Sequence, residues 1–174
     1  MEEHDTAEKL HKLLNIDPLL KEAPLKDKAV GILIEEAPEI CSVRYFFDAF
    51  SEPTFPLSML CALDASLKTI QKCHSVFPGA LDRPDEWFGT ALHYACAYKA
   101  KMETIEFLFQ EDPDAGQEVN FFQRTPLHMA CLFQAPSKVI LFVLEKYKMA
   151  AQKTDKDGYL PLHLACLNDA EQEV

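Results

Sequence analysis

The sequence predicts an all-α fold, a solenoid of helix–loop–helix repeats joined by short β-turn or hairpin connections. Three observations predict it: one motif recurs at a fixed interval, each copy has the residues that begin a helix, and a second apolar segment follows each copy at the same interval. The copies are GTALHYAC at 89–96, RTPLHMAC at 124–131 and YLPLHLAC at 159–166. Their central leucines, Leu92, Leu127 and Leu162, lie 35 residues apart.

Residues 1–50 are predicted to form an N-terminal helical region. The segments TAEKLHKLL and DKAVGILIEEA combine helix-forming residues with apolar positions on one face. Together they suit a degenerate repeat that caps the array.

Residues 51–174 are expected to hold four repeat starts, at residues 56, 91, 126 and 161. One interval before Leu92 lies Leu57, in the sequence FPLSMLC, where Ser58 replaces the histidine. The first unit is therefore degenerate. The last unit is expected to be truncated, because the chain reaches NDAEQEV where a second helix is due.

Each motif is predicted to begin a short helix. Thr125 can cap the free amides with its hydroxyl, and Pro126 supplies a suitable φ where its missing N–H does no harm. Leu127, Ala130 and Cys131 then fall on one helical face. This face is predicted to be part of the core.

A second helix is predicted in each unit. Ile70, Ile105 and Ile140 keep the same interval and lie in apolar or amphipathic runs. Pro78 and Pro113 fall at equivalent places and are expected to end that helix. The connections to the next motif are DEWFG, NFFQR and DKDGY, which have turn-like composition.

These motifs resemble the ankyrin repeat, whose pattern runs from an acidic or Asn residue through a glycine-containing turn to T-P-L-H-x-A. RTPLHMA matches that pattern without gaps, and Asp155, Gly158 and Leu162 are in register in the last unit. Gln123 and Phe88 stand where the last turn has Gly158. The repeat is also longer than the usual unit of about 33 residues.

The resemblance implies a scaffold or adaptor that binds proteins. It implies that partners contact the turn tips and the exposed sides of the first helices. It also implies that the motif histidines His93, His128 and His163 hydrogen-bond to neighbouring turns, so that they and the motif leucines are structural.

Composition argues against several kinds of partner. A formal charge of −11 and no Lys/Arg-rich run disfavour nucleic acid and anionic membranes. The N-terminus MEEHDTAEKL is acidic, unlike a targeting signal, and six cysteines in such a chain suit a reducing compartment. We therefore expect an intracellular protein, cytoplasmic or nuclear.

Catalytic and metal-binding patterns are weak. The sequence has no Gly-rich phosphate loop and no nucleophile elbow, so we expect no enzyme activity, no small-molecule substrate and no cofactor. Each motif histidine precedes a cysteine by three residues, which suggests zinc as an alternative. Helices pack about 8–10 Å apart, too far for successive units to share one ion, so we predict no metal site.

The predicted binding surface is rich in aromatic residues, which with arginine are enriched at interface hot spots. Two interpretations remain for each ring: it binds a partner, or it packs onto neighbouring repeats. The alternative function is a regulatory or targeting segment of a larger enzyme or channel that continues beyond the C-terminus. The candidate residues are Trp87, Tyr98, Phe121, Phe122, Arg124, Phe133, Lys156 and Tyr159.

Overall fold

The computed structural model describes residues 2–20, 24–50 and 52–171, and within these ranges it contains helices and no strand. The predicted all-α repeat fold is therefore confirmed. Residue 51, the predicted start of the array, and residues 172–174 of the last unit lie outside the described residues. The α-helices are α1 (Glu2–Leu14), α2 (Asp27–Glu36), α3 (Pro56–Ala62), α4 (Leu67–Val76), α5 (Ala91–Ala97), α6 (Met102–Glu111), α7 (Pro126–Leu132), α8 (Ser137–Lys146) and α9 (Pro161–Glu171).

The helices stack in two layers. One layer holds the helices that begin at the motifs, so that α3 packs on α5, α5 on α7 and α7 on α9. The other layer places α2 against α4, α4 against α6 and α6 against α8. Since each unit contacts the next, the apolar faces share one continuous core.

The motif helices begin with reciprocal caps. In α7 the Thr125 hydroxyl accepts a hydrogen bond from the His128 amide at 3.4 Å, and the Thr125 amide donates to Nδ1 of His128 at 3.1 Å. Thr90 and His93 form the same capping box in α5. The motif histidine therefore belongs to the helix start as much as to the core.

The motif helices α3, α5 and α7 are followed by a residue in the left-handed conformation. These residues are Asp64, Lys99 and Gln134, with φ of 53°, 61° and 53°. After Gln134 the Ala135 amide donates to the Ala130 carbonyl at 2.8 Å, which closes the helix end. None of the three is glycine. Aspartate tolerates this conformation, whereas the side chains of Lys99 and Gln134 disfavour it, so the tight connection imposes it on them.

The motif leucine is buried only where another repeat packs against its helix on the C-terminal side. Leu92 and Leu127 are 1% and 3% exposed, whereas Leu162 is 68% exposed. His163 is also exposed, although His93 and His128 are buried. Leu162 is uncovered because, within the described residues, no helix packs beyond α9.

The N-terminal helices join the same stack. α1 packs against α2 and α3. Asp27, at the start of α2, accepts hydrogen bonds from the Ser66 amide at 3.0 Å and from the Ser66 hydroxyl at 2.7 Å, at the start of α4. Leu10 and Ile34 are fully buried in the shared core.

Candidate functional site

The turns before the motif helices are built on one side-chain acceptor each. Asp85, Asn120 and Asp155 recur at the repeat interval, and all three are buried. Oδ1 of Asn120 accepts hydrogen bonds from the amides of Phe122 and Arg124, both at 3.0 Å. These acceptors hold the backbone of each tip, so that the residues between them are presented outward. Sequence reasoning missed this role for Asp85 and Asn120, although the interval marks them.

The turns keep their shape where glycine is absent at the position of Gly158. Gln123 itself adopts the left-handed conformation, with φ of 59°. In the preceding turn Gly89, one residue later than Phe88, takes the positive φ, at 110°. A Cβ on Gly89 would lie 2.8 Å from the His93 ring, so the glycine is required on steric grounds as well.

The motif histidines connect successive turns. Nδ1 of His93 accepts from the Thr90 amide, so the proton lies on Nε2, which donates to the Arg124 carbonyl at 3.0 Å. His128 bonds to the Tyr159 carbonyl in the same way, at 3.2 Å. Burial lowers the pKa of His93 to about 4 and also lowers the pKa of His128. Both rings are therefore neutral near pH 7.

Arg124 links two tips through its side chain. Nε donates to Oδ2 of Asp155 at 2.9 Å, and the Asp155 side chain is fully buried. The guanidinium also lies 5.3 Å from the centroid of the Phe122 ring. Burial opposes ionisation of Asp155, but the Tyr159 amide and Arg124 hold its pKa below the usual value. Arg124 is thus engaged within the fold, although part of it is exposed.

We expect Arg124→Ala to lower the free energy of unfolding by about 2 kcal/mol, because it removes a charge-assisted hydrogen bond from a buried carboxylate. Chemical denaturation at pH 7 measures the change. Lys156→Ala is the matched control, since Lys156 is an exposed cation of the next tip and should cost about 0.5 kcal/mol or less. Equal losses in the two variants would contradict the assignment.

Aromatic side chains of the successive tips contact one another at the surface. Trp87 and Phe121 are 42% and 45% exposed, and their ring centroids lie 4.4 Å apart. Phe122, which is half-buried, lies 5.8 Å from Trp87. Nζ of Lys156 lies 4.1 Å from the centroid of Phe121. Tyr159, on the last tip, is 40% exposed. We call these five residues the tip stripe: Trp87, Phe121, Phe122, Lys156 and Tyr159.

Two of the candidate rings lie deeper. Tyr98 is 9% exposed, and its ring centroid is 5.5 Å from that of Phe88 and 5.9 Å from that of Phe50. Phe133 is half-buried, with its centroid 6.1 Å from Tyr98. The bulk of the Tyr98 surface therefore contacts neighbouring units. Part of the Phe133 side chain is exposed beside Tyr98.

The described part of the chain contains no group of three or more His, Cys, Asp or Glu side chains that could hold a metal ion. Likewise, none of the described helices is long and apolar enough to cross a membrane.

A family model described as ankyrin repeats, in three copies, matches residues 92–174. No curated protein matches the chain.

Proposed function

Because this chain belongs to the ankyrin repeat family, whose members generally act as protein–protein interaction modules, we propose that it binds a partner protein through the tip stripe and the adjoining surface of the first helices. The ankyrin fold is a non-catalytic interaction fold. We accordingly propose a scaffold or adaptor role that needs no cofactor.

The observation that carries the proposal is the continuity of the tip stripe. Exposed aromatic rings from two successive tips, Trp87 and Phe121, contact each other and are extended by Lys156 from a third. Rings held by neighbouring side chains lose little conformational entropy on binding, and aromatic anchors dominate interface energetics. The buried acceptors Asp85, Asn120 and Asp155 support the stripe by fixing each turn.

The charge of the chain suggests the chemistry of the partner. The stripe offers apolar anchors, while the chain as a whole carries a formal charge of −11. A partner with apolar side chains and a basic rim would complement both features. The five buried, unpaired cysteines suit a reducing compartment, which supports an intracellular protein, cytoplasmic or nuclear.

The N-terminal helices have a place in the same proposal. Since α1 and α2 pack on α3 and α4 in the order of a repeat, we assign them the role of a degenerate first unit that covers the core. They would then stabilise the array without contributing to the tip stripe.

We expect Phe121→Ser with Tyr159→Ser to abolish capture of the native partner from cell lysate. Both side chains are exposed, so their loss should remove binding area without unfolding the chain. Quantitative mass spectrometry of proteins captured by immobilised chain, with thermal unfolding of each variant, measures both effects.

Leu141→Ser is the matched control, because Leu141 is a large apolar residue that is 64% exposed on α8, away from the tips. This variant should retain every partner that the native chain captures. If the double tip variant also retained them all, the tip stripe would be the wrong site.

A further inference from the structure

A small open cavity lies beside the tip stripe, where residues 49, 50 and 52 meet the first tip and α5. Its volume is about 160 Å³. Its aromatic lining comes from Phe50, Trp87, Phe88, Tyr94 and Tyr98. Small-molecule pockets usually measure about 300–1,000 Å³, so this cavity suits one long side chain better than a drug-sized ligand.

Its aromatic walls pack against one another. The ring centroids of Phe88 and Tyr94 lie 4.4 Å apart, and those of Phe50 and Tyr94 lie 5.2 Å apart with the rings edge to face. Tyr94 is 1% exposed and Trp87 is 42% exposed, so the lining runs from a buried wall to the surface. The faces of such rings carry negative potential and attract cations.

Two carboxylates add negative charge to the lining. Oε1 of Glu52 accepts a hydrogen bond from the Trp87 indole N–H at 3.2 Å. Oδ1 of Asp85 accepts from the amides of Trp87, Phe88 and Gly89, while Oδ2 accepts from the Tyr94 hydroxyl. The cavity therefore favours a cation, but the Asp85 oxygens and one oxygen of Glu52 already have donors.

Because most of these acceptors already have donors, the number of N–H groups on the cation decides how well it suits the cavity. An unmodified lysine ammonium brings three N–H donors, and a guanidinium brings five. Burying donors without acceptors costs free energy. A methylated ammonium keeps the positive charge while replacing N–H donors by methyl groups, which suit aromatic walls.

We propose that this cavity receives the side chain of a methylated lysine, di- or trimethylated, carried by a partner protein. This inference rests on the proposed protein-binding function and names the group that the surface beside the tip stripe recognises. The chain's acidity favours approach of the basic peptide segment that carries such a lysine.

The single tryptophan makes the test direct, because Trp87 lines the cavity and its fluorescence reports occupancy. The probes are capped Gly-Lys-Gly peptides whose lysine carries zero, one, two or three methyl groups. We expect the dimethyl and trimethyl peptides to bind at least tenfold more tightly than the unmodified one. Equal affinity across the series, or no binding of any peptide, would overturn the inference.

Two further ligands complete the test. One shows whether binding needs the positive charge or only the shape of the group, and the other shows whether it needs the peptide or only the cation. A neutral peptide in which a tert-butyl group replaces trimethylammonium should bind at least tenfold more weakly than the charged peptide. Tetramethylammonium should bind more weakly than the trimethyl peptide, because it lacks the lysine stem and backbone. If it bound equally well, a small quaternary ammonium and not a protein partner would be the ligand.

The Glu52→Gln variant tests the carboxylate without removing the acceptor for the Trp87 indole. We expect it to weaken the trimethyl peptide about five- to tenfold and to leave the neutral analogue unchanged. Leu141→Ser should change neither. An unchanged affinity of Glu52→Gln for the charged peptide would contradict the electrostatic part of the inference.

Failure here is distinguishable from failure of the proposed function, because Phe121 and Tyr159 do not line the cavity. Suppose that partner capture depends on those two residues but that all four peptides bind with equal affinity. That result would overturn this inference alone.

Discussion

We expect Leu127→Ala to lower the free energy of unfolding by about 2–5 kcal/mol, measured by urea denaturation. Leu127 is 3% exposed in α7, the helix that packs against both α5 and α9. Truncation removes apolar burial and leaves a cavity between stacked units, which a rigid helix layer can fill only in part.

Leu162→Ala is the matched control for this prediction. Leu162 occupies the same place in its motif but is 68% exposed, so its truncation should cost about 0.5 kcal/mol or less. A similar loss in both variants would show that the motif leucine acts through its own helix and not through the contact between units.

Acidification should destabilise the fold through His93, and we expect about 3 kcal/mol to be lost from this residue between about pH 6.5 and pH 4. Burial lowers the pKa of His93 from 6.5 to about 4, so the unfolded chain binds a proton in this range that the folded chain excludes. The contribution is therefore complete above the unfolded pKa and is lost as the pH falls toward the folded one. Urea denaturation at a series of pH values measures the slope of the free energy of unfolding against pH.

Replacement of the histidine should reduce that slope. We expect His93→Gln to cost about 1–3 kcal/mol at pH 7.5, because glutamine cannot keep both the bond with Thr90 and the bond to the Arg124 carbonyl. Its stability should then vary less with pH than that of the native chain. His163→Gln, at an exposed site, should change neither quantity. An unaltered slope in His93→Gln would assign the acid sensitivity to other groups.

The helical layers could be predicted from the sequence because burial of the motif residues repeats with the interval. Leu92 and Leu127 are buried as the pattern requires, and Thr125 and Pro126 begin α7. The left-handed residues at the helix ends could not be predicted, because nothing in the side chain of Lys99 favours that conformation. The close packing of the two helices in each unit imposes it.

The candidate site could be predicted only as a region. The sequence places aromatic residues at the tips, but it does not say which way a ring points. Trp87 and Phe121 stay at the surface, whereas Tyr98 is covered. Phe50, which contacts Tyr98, lies between Tyr45 and Thr54, two residues that pair in an antiparallel bridge. That contact comes from outside the motif, so the interval gives no sign of it.

Amide hydrogen exchange of the chain with and without its captured partner is the most direct test of binding through the tips. We predict slower exchange in the turns at 85–90, 120–125 and 155–160, with unchanged exchange on the outer faces of α6 and α8. Slower exchange confined to α6 and α8, with none in the three turns, would contradict binding through the tips.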